Sequence, residues 1–169
     1  MQLLLEAQKP FALALPDRRQ RHPGPLRHGL VDVLLGDDDP FHVGLEVDAL
    51  GGKPGVRSAR FSSPRPTDEK NNLKVLRLLR GVPPAARGAR FVCVMVLAEE
   101  GRVIREIRGQ ARGRIALEPR GVNGFGYDPL FYYPPLRRSF AELGPGEKNA
   151  VSHRGRALRK LVGFLRSSP

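Results

Sequence analysis

The stretch GVNGFGYDPLFYYPPLRRSFAELGPGEKNAVSHRG, residues 121–155, holds the densest chemistry of the chain. Turn glycines, aromatic rings, a carboxylate and several cationic or ionisable donors alternate too irregularly for one helix or one strand. That composition suits a packed surface loop, and equally a ligand-binding loop carried on a rigid scaffold. Gly124 and Gly126 allow sharp turns and close backbone approach. Phe125 between them offers an aromatic face.

Working outward, Ala157, Leu158, Leu161, Val162 and Leu165 recur with the period of an amphipathic C-terminal helix. Ser152 is placed to cap it, which puts His153 and Arg154 in a first turn whose free N–H groups favour an acceptor or an anion. Upstream, the run RFVCVMVL (90–97) is apolar on both faces, as expected of a central strand. Val103–Ile107 and Gly113–Ile115 supply one or two further strands after the Glu99-Glu100-Gly101 turn. Thr67 is the expected N-cap of a helix with Asp68 and Glu69 at its positive end and Leu73, Leu76 and Leu79 on its buried face, stopped by Gly81 and Pro83. Leu45 and Val47 alternate with Glu46 and Asp48 as on a short half-buried strand, and Gly51-Gly52 and Pro54-Gly55 then turn the chain. Together these elements predict an α/β protein with a mixed, twisted sheet flanked by helices.

Residues 1–43 read differently. Pro10, Pro16, Pro23, Pro25 and Pro40 punctuate them, three of the four histidines fall there, and no apolar period persists. The segment is expected to be atypical and irregular, with the folded domain spanning 44–169. Asp37, Asp38 and Asp39 form the densest acidic run, a candidate divalent-metal site or simply a solvated patch.

The 169 residues suffice for one domain with a hydrophobic core. No run is apolar for long enough to cross a membrane, and Glu6, Lys9 and Pro10 break the N-terminal stretch before it could form a signal-peptide core. A cytoplasmic location is therefore expected. The single cysteine, Cys93, fits a reducing compartment and reads as a small core residue. The net charge of +12 and pI near 11 suit polyanions. Yet arginines are scattered through every segment, and GC-rich codon usage would give the same excess. A nucleic-acid partner is thus the weaker reading.

The motifs GFGYDPLF, FAEL, EKN and SHRGRAL, in this order and spacing, resemble the noncanonical purine nucleoside triphosphate pyrophosphatases, the dITP/XTP pyrophosphatase (inosine triphosphatase) family. The pieces GLEVDALGG, PGV, SARF and DEKNNLKVL also resemble it, so the likeness covers about residues 44–165. The resemblance implies hydrolysis of ITP, dITP and XTP between the α and β phosphates, giving a monophosphate and pyrophosphate with Mg²⁺ assisting, by a homodimer. It implies that Phe125, Gly126, Tyr127 and Asp128 form the base-recognition motif, that Lys148 contacts substrate and that His153 and Arg154 read the base. Donor counting agrees: an always-protonated guanidinium can bond the 6-keto acceptor of hypoxanthine or xanthine but meets a donor in adenine.

The family's phosphate loop, its metal-binding Glu and its Asp-Asp-Ser-Gly run have no counterpart upstream of Gly44. Phe41 and His42 occupy the two carboxylate positions, so an Asp expected to be catalytic is replaced by His42, and the catalytic groups are not identified from this sequence. Two expectations follow from the abrupt change at Gly44. Either the upstream segment reflects a change of reading frame, or the chain is a catalytically impaired nucleotide-binding remnant.

Overall fold

The computed structural model describes residues 43–99 and 102–167. The readings of residues 1–42, including Asp37, Asp38, Asp39, Phe41 and His42, lie outside the described residues.

Strand β1 (Val43–Val47) and the two-residue β2 (Pro54–Gly55) precede helix α1 (Asp68–Leu78). Two long strands follow, β3 (Gly88–Glu99) and β4 (Arg102–Ile115), then the short β5 (Phe131–Tyr133) and β6 (Arg138–Ser139). Helices α2 (Pro145–Val151) and α3 (His153–Ser167) end the described chain. The strands form one six-stranded sheet in the order β2-β1-β3-β4-β5-β6.

The α/β class with flanking helices is the one expected. All five pairings among the described strands are antiparallel, however, so the sheet is not mixed over this region. The apolar run of β3 comes from its central place between β1 and β4: Phe91 and Cys93 are buried on one face and Val92, Val94 and Val96 on the other. The two short strands expected over 103–115 are one continuous strand. Its break in apolar alternation reflects the position of its buried residues: Ile107, Ala111 and Ile115 point into the core, while Val103 and Ile104 are exposed.

Two hydrophobic clusters form among the described residues. In the larger, Phe131 packs against Phe91 with ring centroids 4.6 Å apart and against Phe140 at 4.7 Å, and Leu45, Val75, Leu79 and Tyr127 join them. Such tilted aromatic pairs add to the stabilisation from area burial. In the smaller, Ala157 and Leu161 of α3 seat on Cys93 and Ile107, which makes Cys93 the core residue expected. Gly109 admits α3, because a Cβ there would lie 2.1 Å from the His153 carbonyl oxygen and 2.5 Å from the Ala157 nitrogen.

The apolar faces of both long helices differ from the spacing-based reading. On α1, Leu73 is 57% exposed, whereas Asn71, Asn72 and Val75 are buried, with Leu79 just past the helix. The amides outweigh the leucine because neighbouring backbone engages them: Asn71 accepts from the Ser62 N–H (2.8 Å) and donates to the Ala59 carbonyl (3.1 Å), and Asn72 donates to the Gly126 carbonyl (2.9 Å). On α3, Leu158 and Leu165 are exposed beside the narrower stripe of His153, Ala157 and Leu161. The Thr67 cap forms as expected, its hydroxyl oxygen accepting from the Lys70 N–H.

Candidate functional site

The loop after β4 is shaped by glycines and one buried carboxylate. Gly124 has φ +82° and Gly126 φ +61°, a region other residues rarely adopt. Asp128 folds back beneath the turn, where its Oδ2 accepts the Phe125 N–H at 2.8 Å and the Lys148 ammonium of α2 at 2.5 Å. A Cβ on Gly124 would stand 2.2 Å from that same oxygen. The turn therefore requires glycine twice over, for its φ and for the carboxylate packed against it.

Helix α1 holds Gly126 through both its N–H and its carbonyl. The Gly126 N–H donates to Asp68 Oδ2 (2.6 Å), and Asn72 Nδ2 donates to the Gly126 carbonyl (2.9 Å). Tyr127 then turns inward, its hydroxyl donating to the Ser58 carbonyl at 2.8 Å, and burial raises its phenol well above the usual range. With its neighbours anchored on both sides, Phe125 is left 57% exposed.

Two cations stand against that ring. Lys148 Nζ is 4.7 Å from the centroid and the Arg154 guanidinium carbon 4.8 Å. Both distances are within cation–π range. Arg154 is set by the cap of α3, where the Gly155 N–H donates to Ser152 Oγ at 3.1 Å. Residues 153 and 154 then diverge. Arg154 is exposed, whereas the His153 ring is buried and stacked on Phe91 (4.7 Å, 15°), with its Nδ1 lacking a hydrogen-bond partner among the described residues.

Burial, helped by the nearby Arg154 and Lys148 charges, pushes the His153 imidazolium down to about 3. An unfolded chain takes up this proton near its ordinary value, so between about 6.5 and 3 the unfolded state binds more protons and stability falls as pH drops. The expected slope is up to about 1.4 kcal/mol per pH unit. It is best read between about pH 5 and 6, above the range in which carboxylates titrate. Denaturant unfolding over that range should show this slope in the wild type and a flatter one in His153→Gln. Equal slopes would mean that His153 is protonated in the folded protein.

Of the residues expected at the site, Phe125, Asp128, Lys148 and Arg154 converge, and Gly126 sets the turn. Tyr127 and His153 point into the core. Asp68, Asn72 and Ser58 were missed as site residues: Asp68 reads as a helix-dipole residue, and Asn72 breaks the apolar period of α1. The one available signal was the four-residue spacing of Asp68 and Asn72, which places a carboxylate and an amide on the same helix face.

An antiparallel sheet backed by a capped helix makes this an α/β protein that presents an exposed aromatic ring beside two cations. The sequence model of the Ham1 family matches residues 32–164, beginning upstream of Gly44. A dITP/XTP pyrophosphatase of Desulforamulus reducens is 49% identical over 134 residues, 79% of this chain and 65% of that protein. The structure of a HAM1 protein from Coxiella burnetii superposes with a TM-score of 0.71 at 44% identity, covering 75% of this chain and 65% of that one. The Staphylococcus aureus Ham1 protein gives 0.70 at 40% identity, covering 74% and 64%. The chain belongs to the Ham1 family. It spans 65% of the length of the curated relative from Desulforamulus reducens.

Proposed function

We propose that this chain acts as a nucleoside triphosphate pyrophosphatase on deaminated purine nucleotides, ITP, dITP and XTP, releasing pyrophosphate and leaving the monophosphate. The observation that carries this reading is the Phe125 ring, exposed on a clamped loop with Arg154 and Lys148 against it. A purine stacked on Phe125 gains on the order of 1–3 kcal/mol. Arg154 supplies donors to a 6-keto acceptor and none of the acceptors an adenine amino group needs. Lys148, held by Asp128, contributes positive charge towards the ligand's acceptors. Asp128, Gly126 and Tyr127 act by fixing the loop, and His153 acts as a neutral spacer that seats the α3 terminus. The names of the relatives support the substrate class.

A divalent metal, Mg²⁺, and a homodimeric, cytoplasmic enzyme belong to the same reading. No group of three or more His, Cys, Asp or Glu side chains that could hold a metal occurs among the described residues. Asp128 and Asp68 each have an oxygen committed to protein donors. The described residues thus do not fit the metal, and no catalytic step is assigned to one on them. The unpaired Cys93 is compatible with a reducing compartment, and no helix among the described residues is long and apolar enough to cross a membrane.

The test is pyrophosphate release from ITP, XTP and ATP in the presence of Mg²⁺, with binding measured in parallel. ITP and XTP should be hydrolysed and bound in preference to ATP. Arg154→Ala should weaken ITP binding by about 1.5–3 kcal/mol while changing ATP binding little. Equal losses for both nucleotides would show that Arg154 holds phosphate instead of reading the base. Absence of ITP turnover with selective ITP binding intact would leave only the nucleotide-binding half of the reading standing.

A further inference from the structure

We infer a second anion site, separate from the loop around Phe125, in which Arg156, Arg159 and Lys160 of α3 and Gln110 of β4 bind a chain of phosphates. These four residues line an open cavity of about 490 Å³. Arg156 lies about 200° around α3 from Arg154, and Arg159 about 140°. The two sets of cations therefore flank the buried stripe of the helix from different sides.

Each cationic head is pinned, and each by a neutral group. Arg156 donates to the Gln110 carbonyl and the Tyr133 hydroxyl, both at 3.0 Å. Arg159 donates to the Asn149 and Ala150 carbonyls at 2.9 and 2.6 Å, and Lys160 to the Arg108 carbonyl at 2.7 Å. None of the three makes a salt bridge to a carboxylate among the described residues. Charges three and four apart on one helix face repel one another, so the cluster costs stability while empty and gains when an anion enters. The carbonyl bonds hold the heads in place and leave further N–H donors on each, which lowers the ordering cost of binding. Several fixed cations around one cavity match an anion with several linked charges, since each phosphate neutralised adds to affinity. A free oligophosphate and a polynucleotide backbone share that chemistry.

The experiment titrates the full chain with tripolyphosphate and, separately, with a single-stranded oligothymidylate at low salt, comparing wild type with Gln110→Glu. Among the described residues the Gln110 side chain makes no hydrogen bond, and Arg156 holds its backbone carbonyl, so this variant places one negative charge in the cavity and leaves the pinning bonds intact. Lys160→Gln provides a second, milder variant. Arg154→Ala serves as the reference for the other site. Both ligands should be bound by the wild type, weakened about tenfold or more by Gln110→Glu and left nearly unchanged at this site by Arg154→Ala. Loss confined to tripolyphosphate would identify a free oligophosphate as the ligand, and loss confined to the oligonucleotide a polynucleotide backbone. If the wild type binds neither, or if Gln110→Glu and Lys160→Gln weaken neither, the site does not exist.

Discussion

Replacing Asp128 with alanine is expected to destabilise the fold by about 3–5 kcal/mol and to abolish selective purine binding. The carboxylate is 4% exposed and its lysine partner 17%, so the pair is largely withdrawn from water. Removing the acid alone strands the Lys148 ammonium and takes the acceptor from the Phe125 N–H at the same time. Because Lys148 can reach solvent in part, the lower end of that range is expected. The double variant Asp128→Ala, Lys148→Met should recover much of the stability, since removing both partners leaves no unpaired charge, yet it should not recover binding. Denaturant unfolding of the three variants beside inosine nucleotide titrations tests both statements. An Asp128→Ala protein within 1 kcal/mol of wild type, as judged against this ~3 kcal/mol expectation, would show that the loop is held by something other than the carboxylate.

Gly109→Val should act from a distance. Its Cβ would meet the His153 carbonyl oxygen at 2.1 Å, the Ala157 nitrogen at 2.5 Å and the Ala157 Cβ at 2.8 Å, and two of these three are backbone atoms that cannot rotate away. The helix must lift from β4, which opens the cluster of Cys93, Ile107, Ala157 and Leu161. Overpacking of this kind costs about 1–3 kcal/mol, and lost burial adds to it. A melting temperature about 6–12 °C lower is expected for a chain of this size. Arg154 moves with the helix, so inosine nucleotide affinity should fall although the mutated residue touches no ligand. Gly163→Ala on the same helix is the control: beyond its own helix, nothing among the described residues lies within 4 Å of its Cβ, and the change should stabilise by about 0.5–1 kcal/mol. Unchanged melting and affinity in Gly109→Val would refute the close approach of α3 to β4.

The pH response belongs with these results. The His153 ring is stacked on Phe91, and its Nδ1 has no hydrogen-bond partner among the described residues, so the charged form is disfavoured first by burial and then by the Arg154 and Lys148 charges. Its neighbour Arg154, one residue on, faces water. Adjacent helical residues point about 100° apart, and that geometry assigns one of them to the core and the other to the surface.

Much of this was legible in the sequence, where the signal is local. The Thr67 and Ser152 caps, the β3 strand and the α3 helix depend on residues within a few positions of one another, so side-chain type and spacing were sufficient. The motif residues Phe125, Asp128, Lys148 and Arg154 could be named from the wording of the chain. Tertiary structure alone decided how they are used. Spacing gave α1 a leucine face, but docking buried Asn71 and Asn72, because amides that satisfy the backbone of 59–62 and of Gly126 cost less to bury than those carbonyls and N–H groups would if left unpaired. The burial of Tyr127 and His153 could not be read in sequence, since a polar aromatic serves as well in a core as at a surface. Their positions follow from the Ser58 carbonyl, 69 positions from Tyr127, and from the Phe91 ring, 62 positions from His153. No local pattern records a contact across that much chain.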